Sequence, residues 1–167
     1  MLQSIILCHV RLEAALPVLG ELEASALGAH LGVYPKLEMP LENLSSQQDR
    51  FAALTAQLSQ HLGCTALGVV NLEDDALLVW AYDQGRLVFR YDANPMYLGC
   101  RVCSYSSETV GAQIHGLDEL CRLLGVPQHT QALRSWLVRR KGLGFLYEQE
   151  RLEKIFGLLG LPLPKRL

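Results

Sequence analysis

The sequence lacks the motifs that identify most enzyme classes. It has no phosphate-binding loop, no dinucleotide fingerprint and no nucleophile elbow. No stretch approaches the roughly 18 consecutive apolar residues of a membrane-spanning helix. The N-terminal apolar run has no basic segment before it and reaches His9 and Arg11 too early for a secretory signal. We therefore expect a soluble, cytoplasmic protein of bacterial type with no membrane partner.

Charge is also scarce. Only 19% of the residues are charged and the formal net charge is -2, so the chain as a whole does not attract nucleic acid or anionic lipid. The five cysteines are an odd number and are spread along the chain, which favours reduced thiols over a disulfide framework. With 167 residues, half of them hydrophobic, the chain can bury one sizeable core. We expect residues 1–167 to form a single α+β domain.

The clearest pattern is a meander of three short strands over residues 66–92. Strands are predicted at 66–72, 76–82 and 86–92, joined by acidic turns at 73–75 and 83–85. The second turn carries Gly85, which suits the left-handed conformation of a tight hairpin. The middle strand is apolar on both faces, so we place it inside the sheet. Its Trp80, and Phe89 on the next strand, should be buried with Leu54 and Leu58 in one core.

The other elements are predicted from apolar spacing, capping residues and helix-stop signals. The N-terminal residues 4–10 predict a strand, and a helix interrupted near Pro17 is expected over 11–27. Residues 28–43 then predict a loop that has room for one short strand. Helices are expected at 46–62, where Ser45 and Gln48 form a capping box, and in three pieces over 117–159. The prediction is an antiparallel sheet of the meander plus the N-terminal strand, packed with these helices. This order is compatible with a ferredoxin-like split arrangement.

One segment resembles a known group of proteins. Residues 73–97 carry an acidic turn, an aromatic strand, a turn glycine, a second strand and the ending Asn94-Pro95-Met96-Tyr97. This segment is similar to one in a widespread group of uncharacterised bacterial proteins, whose own ending is polar-x-Pro-x-aromatic. The similarity extends to the helix Glu148–Leu159 and the Gly-Leu-Pro after it, about half of the chain in all. That group has no established activity, so the resemblance implies a fold and assigns no catalytic residues.

Four residues have the spacing of a weak zinc motif: Cys100, Cys103, His115 and Cys121. A short Cys-x-x-Cys knuckle can bring two sulfurs together, and a later helix can supply two further ligands to close a tetrahedral site. However, only one knuckle is present, and Cys121 lies among leucines, where a thiol is ordinary core filling. We expect no cofactor, with zinc as the alternative. Cys8 with His61, or Cys64 with His9, has no sequence context that supports nucleophilic catalysis.

Two charged groups have competing interpretations. The acidic turn residues could bind a hard cation, but aspartate also suits turns and we expect these side chains to be solvated. The one basic cluster surrounds a tryptophan and comprises Arg134, Trp136, Arg139, Arg140 and Lys141. Such a cluster can grip phosphates and stack a base, yet cations at a helix end also complement the helix dipole. Because the net charge is negative, we do not expect nucleic acid as the partner.

The leading hypothesis is a non-enzymatic binding or protein-interaction module whose partner is an unknown protein or a second copy of the chain. We expect the sheet and the segment after Pro95 to supply its contact surface, with Tyr97 and Tyr105 as rigid aromatic contacts. The first alternative is a small enzyme or zinc-dependent protein using cysteine, histidine and aspartate residues. The second is a nucleic-acid binder acting through residues 134–141.

Overall fold

The structure is a computed structural model that describes residues 2–36, 44–95, 97, 111–142 and 145–164. Within these ranges the chain forms five α-helices and a seven-stranded antiparallel sheet, which confirms the predicted α+β class. The strands are β1 Leu2–Leu7, β2 Glu23–Leu27, β3 His30–Tyr34, β4 Thr65–Leu72, β5 Ala76–Asp83, β6 Arg86–Asp92 and β7 Gln113–His115. The helices are α1 Leu12–Leu19, α2 Leu44–Leu62, α3 Leu117–Leu123, α4 Thr130–Val138 and α5 Glu148–Leu159. None of the helices in the described ranges is long and apolar enough to cross a membrane.

The strand order is β2-β3-β1-β4-β5-β6-β7. The meander is confirmed, and β5 lies inside the sheet as its two apolar faces predict. Both of its hairpins have two residues of positive φ: Glu73 and Asp74 at 52° and 64°, and Gln84 and Gly85 at 49° and 83°. Positive φ at both central positions is the requirement of a type I′ turn, whose twist matches that of paired strands.

The first half of the chain has the ferredoxin-like split arrangement. Its elements run β1, α1, β2, β3, α2, β4, and its strands are ordered β2-β3-β1-β4. β3 pairs antiparallel with both β1 and β2. The chain therefore places β3 between β1 and β2, the two strands that α1 connects.

The prediction of a helix over residues 11–27 was wrong in its second half. α1 does contain Pro17, but it ends at Gly20, where φ is 58°. The five residues Glu23–Leu27 form β2 instead, and every one of them pairs with a residue of β3. Glu, Ala and Leu favour a helix in isolation, so here pairing with β3 overrides local propensity. β7 was also not predicted.

The chain divides into two compact units. The N-terminal unit comprises Gln3–Val69, Trp80–Val88 and Pro164–Leu167, and the C-terminal unit comprises Met1–Leu2, Val70–Val79 and Phe89–Leu163.

In the N-terminal unit, α2 packs closely on β4 at Gly68. A Cβ at this glycine would lie 2.6 Å from Oγ1 of Thr55 and 2.8 Å from a ring carbon of Phe51, so only glycine fits without movement. Thr55 is fully buried, and its hydroxyl donates to the carbonyl of Phe51 at 2.9 Å. Trp80 is buried with its ring centroid 6.0 Å from that of Phe51, and Leu58 is buried too, but Leu54 is only half-buried.

In the C-terminal unit, α4 packs against α5. The apolar side chains along one face of α5 are buried: Leu152, Ile155, Phe156 and Leu159. The helix ends at Gly160 with φ of 70°, as its sequence predicts. Phe89 on β6 is buried, at 3% exposed.

Candidate functional site

Two of the four zinc candidates can be placed. Cys121 is fully buried on α3, whereas His115 is exposed on β7. Cys100 and Cys103 lie outside the described residues. Within the ranges that the structure describes, no three histidine, cysteine, aspartate or glutamate side chains are grouped closely enough to hold a metal ion.

The thiols of Cys8 and Cys64 are buried and half-buried. Burial, with a smaller effect from Cys64, raises the pKa of Cys8 to about 12. Burial and the nearby Asp83 raise the pKa of Cys64 to about 11. A thiol must ionise to act as a nucleophile, so both cysteines are held in the unreactive form near neutral pH.

The basic cluster is partly engaged within the protein. Arg134 forms an exposed ion pair with Asp118, with 3.8 Å between Nη2 and Oδ1. The guanidinium of Arg139 lies 4.1 Å from the ring centroid of the half-buried Trp136. Lys141 donates to the backbone carbonyl of Asp74 at 2.7 Å. These are the local roles that cations near a helix end commonly have, and Arg140 is the member whose side chain is simply exposed.

Beneath this cluster lies a buried charge network that the sequence did not predict. Arg151 on α5 is 2% exposed. Its guanidinium donates to the carbonyls of Leu137 at 2.8 Å and Arg139 at 2.5 Å, and to the hydroxyl of Tyr91. The carbonyls of the last helical turn have no partner within their own helix, so Arg151 satisfies the C-terminal end of α4 from outside.

Glu148 balances the charge of Arg151. It is 3% exposed, and its Oε2 lies 3.0 Å from Nε of Arg151, one turn along α5. Burial raises the pKa of Glu148, and the neighbouring Arg151 opposes that shift. Burial likewise raises the pKa of Tyr91, whose hydroxyl donates to the carbonyl of Leu137 at 3.0 Å. Burial of a charge is costly unless the charge is paired. Here both charges are paired with each other, and the terminal nitrogens of Arg151 are hydrogen-bonded as well.

The acidic turn docks on the start of α5. Oδ1 of Asp74 accepts from the backbone N–H of Gln149 at 3.1 Å and from the amide of Asn71 at 3.0 Å. A carboxylate at this position satisfies a free N–H of the first helical turn and complements the helix dipole. The prediction of solvated turn residues is therefore wrong for Asp74, although Glu73 and Asp75 are exposed.

Among the described residues of the C-terminal unit, the most exposed large apolar side chains lie at the end of α4 and in its connection to α5. Val138 is 56% exposed, Leu146 is 64% and Tyr147 is 55%. We refer to residues 136–142 and 145–147 as the α4–α5 corner. The corner also contains Trp136 and Phe145; Phe145 is buried, with its ring centroid 4.4 Å from the guanidinium carbon of Arg151 and 6.5 Å from the ring centroid of Trp136.

The sequence did not predict the α4–α5 corner because its exposed apolar residues form no extended pattern along the chain. Val138, Leu146 and Tyr147 fall where the helical apolar stripe is interrupted, and such residues resemble ordinary surface exceptions in one sequence. Of the two aromatics predicted to make contacts, Tyr97 is half-buried with its backbone N–H bonded to the carbonyl of Asn94, and Tyr105 lies outside the described residues. Their role stays a prediction.

Comparison with known proteins adds no assignment. No protein-family model matches the chain, and the curated proteins and the solved structures contain no match to it.

Proposed function

We propose that this chain is a non-enzymatic protein-interaction module that binds through the α4–α5 corner. The observation that carries the proposal is that three strongly exposed apolar side chains, Val138, Leu146 and Tyr147, lie in this one short stretch of the chain, next to the buried ion pair of Arg151 and Glu148. Exposed apolar side chains concentrated in one short connection are typical of contact surfaces.

The backbone of the corner is fixed before any partner arrives. Arg151 binds the carbonyls of Leu137 and Arg139, and the N–H of Gly142 donates to the carbonyl of Phe145 at 2.8 Å. A partner therefore loses little affinity to ordering this segment. Tyrosine adds a large contact area with few rotatable bonds, which makes Tyr147 the expected anchor.

The same contacts argue against chemistry at this place. Arg151 and Glu148 are turned toward each other, while Asp74 and Lys141 bond within the protein. A catalytic acid or base must reach a substrate atom, and the buried pair has almost no exposed surface. Arg140, the cation of the corner whose side chain is exposed without such a contact, suits a partner whose apolar pocket is rimmed by carboxylates.

The test is a pair of photo-crosslinking variants expressed in the source cells. One carries a photoreactive phenylalanine analogue in place of Tyr147, and the control carries it in place of Glu153, which is exposed on α5. We expect a discrete protein adduct from position 147 and none from position 153. The protein captured in that adduct, purified on its own, should then bind the wild-type chain in calorimetry. Tyr147→Glu should abolish that binding without lowering the unfolding midpoint. Equal adducts from both positions, or binding unaffected by Tyr147→Glu, would refute the proposal.

A further inference from the structure

β2 is an unprotected edge of the sheet. It stands at the end of the strand order, and in the described part of the chain its only strand neighbour is β3. All five residues pair with β3 in one unbroken register, from Glu23 opposite Tyr34 to Leu27 opposite His30. The strand therefore has no bulge that would turn its outer backbone groups away from a partner.

The usual protective features of an edge strand are missing from β2. Edge strands are commonly blunted by lysine, proline, bulges or very short length. β2 has the sequence Glu-Ala-Ser-Ala-Leu, and its one charge, Glu23, stands at the first position of the strand, where it forms an exposed and therefore weak ion pair with Lys36, with 2.7 Å between Nζ and Oε1. The strand at the other end of the order, β7, is only three residues long. Shortness protects β7, and among the residues that the structure describes nothing comparable protects β2.

We propose that β2 pairs antiparallel with β2 of a second copy of this chain, centred on Ser25, so that two sheets join into one. In this register Ser25 faces Ser25 of the partner subunit, and each alanine faces an alanine. The side chains of Ala24 and Ala26 are too small to obstruct the approach of another backbone. This surface is separate from the α4–α5 corner, so the inference does not rest on the proposed function.

The charge of Glu23 selects both the orientation and the register of the two paired β2 strands. Parallel pairing would place the two Glu23 side chains on neighbouring strands about 4.8 Å apart, and like charges there are destabilising. Antiparallel pairing centred on Ser25 separates them by four residues, about 14 Å along the strand. That distance exceeds the screening length of about 8 Å at physiological salt. A register centred on Ala24 would halve the separation and restore the repulsion.

α1 supplies apolar area that a five-residue ladder lacks. It packs against β2 and α2, and its Leu16 is 58% exposed. Antiparallel pairing at a sheet edge is related by a two-fold axis perpendicular to the sheet, so both copies of α1 lie on the same face of the joined sheet. A two-stranded pair alone is marginal in water, and the helices next to it make the contact larger.

The first experiment measures association. Sedimentation of the wild-type chain over a concentration series should show a monomer–dimer equilibrium. Ser25→Lys and Ser25→Glu should each be monomeric because they oppose like charges, and a mixture of the two should form dimers again. Gln113→Lys on β7 and Tyr147→Glu serve as controls that leave the dimer unchanged. A monomeric wild type, or a dimer that survives Ser25→Lys or is lost in Tyr147→Glu, would overturn the proposal.

The second experiment tests the register and does not require the charged variants to fold. Under mild oxidation Ser25→Cys should give a covalent dimer, because directly opposed residues have Cβ atoms about 5 Å apart. Glu23→Cys should not, because the two introduced thiols are then on opposite ends of the paired segment. Crosslinking of both variants or of neither would contradict the register.

Discussion

The two units stabilise helix against strand in opposite ways. In the N-terminal unit, α2 meets β4 through shape, because Gly68 leaves room for Phe51 and Thr55 to lie against the strand backbone. In the C-terminal unit, α5 meets β6 through charge, because Arg151 donates to Tyr91 while Glu148 balances it. The contact between α2 and β4 should therefore be weakened by adding atoms at Gly68. The contact between α5 and β6 should be weakened by removing the guanidinium of Arg151.

Removal of Arg151 should have the largest effect. Arg151→Met leaves Glu148 without its counter-charge and removes the guanidinium donors to the carbonyls of Leu137 and Arg139. Breaking a buried ion pair in this way typically costs about 3 to 5 kcal/mol of unfolding free energy. Urea denaturation followed by circular dichroism measures the loss.

The control is the double variant Arg151→Met with Glu148→Met. Replacing both members of a buried ion pair by apolar residues is often neutral or stabilising, so the double variant should recover part of the loss. The recovery will be incomplete because the carbonyl of Arg139 has lost its donor and that of Leu137 keeps only the hydroxyl of Tyr91. If Arg151→Met lost less than about 1 kcal/mol, well below the value for a broken buried pair, the buried network would be disproved.

Addition of one methyl group at Gly68 should have the next largest effect. Gly68→Ala places a Cβ against Thr55 and Phe51, both on α2. Overpacking of this kind usually costs about 1 to 3 kcal/mol. Gly157, at which a Cβ would meet no atom within 4 Å, provides the matched control, and Gly157→Ala should be neutral or slightly stabilising.

A double-mutant cycle sharpens this prediction. Thr55→Ala removes the hydroxyl that lies 2.6 Å from the added Cβ, so Gly68→Ala should cost less in the Thr55→Ala background than in the wild type. Additive losses would show that the two residues do not share the contact.

The contrast between the units also explains what the sequence could predict. The meander was predictable because its strands alternate with turn residues and its hairpins are local. β2 was not, because Glu23–Leu27 has helix-favouring residues and becomes a strand only through pairing with β3. Local signals identify local structure, whereas a partner strand elsewhere in the chain leaves no local mark.

The charged site follows the same rule. The sequence draws attention to the basic cluster, since Arg134, Arg139 and Arg140 are close together along the chain. Arg151 is an isolated arginine on α5, and nothing in its immediate sequence distinguishes it from a solvated side chain. Its importance arises from Tyr91, which is distant in the chain, and from the end of α4. The exposure of Val138, Leu146 and Tyr147 likewise depends on how the two helices pack.

The acidic turn provides a further test in the C-terminal unit, with a smaller expected loss of stability. Asp74→Ala removes the carboxylate that caps the N-terminus of α5 through Gln149, and should cost about 0.5 to 2 kcal/mol, the usual range for a cap. Asp75→Ala removes an exposed ion pair with Lys141 and should cost at most about 1 kcal/mol. Chemical denaturation of the two variants side by side checks the difference. Equal losses would show that Asp74 does not cap the helix.

The last prediction concerns Cys8 and Cys64 in the N-terminal unit. Burial raises the pKa of Cys64 from 9.0 to about 11 and that of Cys8 from 9.0 to about 12. Each unit of increase lowers the thiolate fraction about tenfold below the pKa, so at pH 8 Cys64 should be alkylated at least about 100-fold more slowly in the folded protein than in urea. Peptide mass spectrometry after timed iodoacetamide treatment measures the rate at each cysteine.

The same pKa shifts set the sign of an alkaline pH effect. Both folded-state values lie above the unfolded-state values, so the folded protein holds these protons more tightly. The resulting stability is fully present below pH 9 and is lost as the pH rises through about 11 and 12. Cys64→Ala removes one of the two contributions, so its unfolding free energy should fall less steeply than that of the wild type from pH 9 to pH 11. Parallel curves for the two proteins, together with rapid alkylation of folded Cys64, would show that this thiol is not held in an apolar, tightly packed environment.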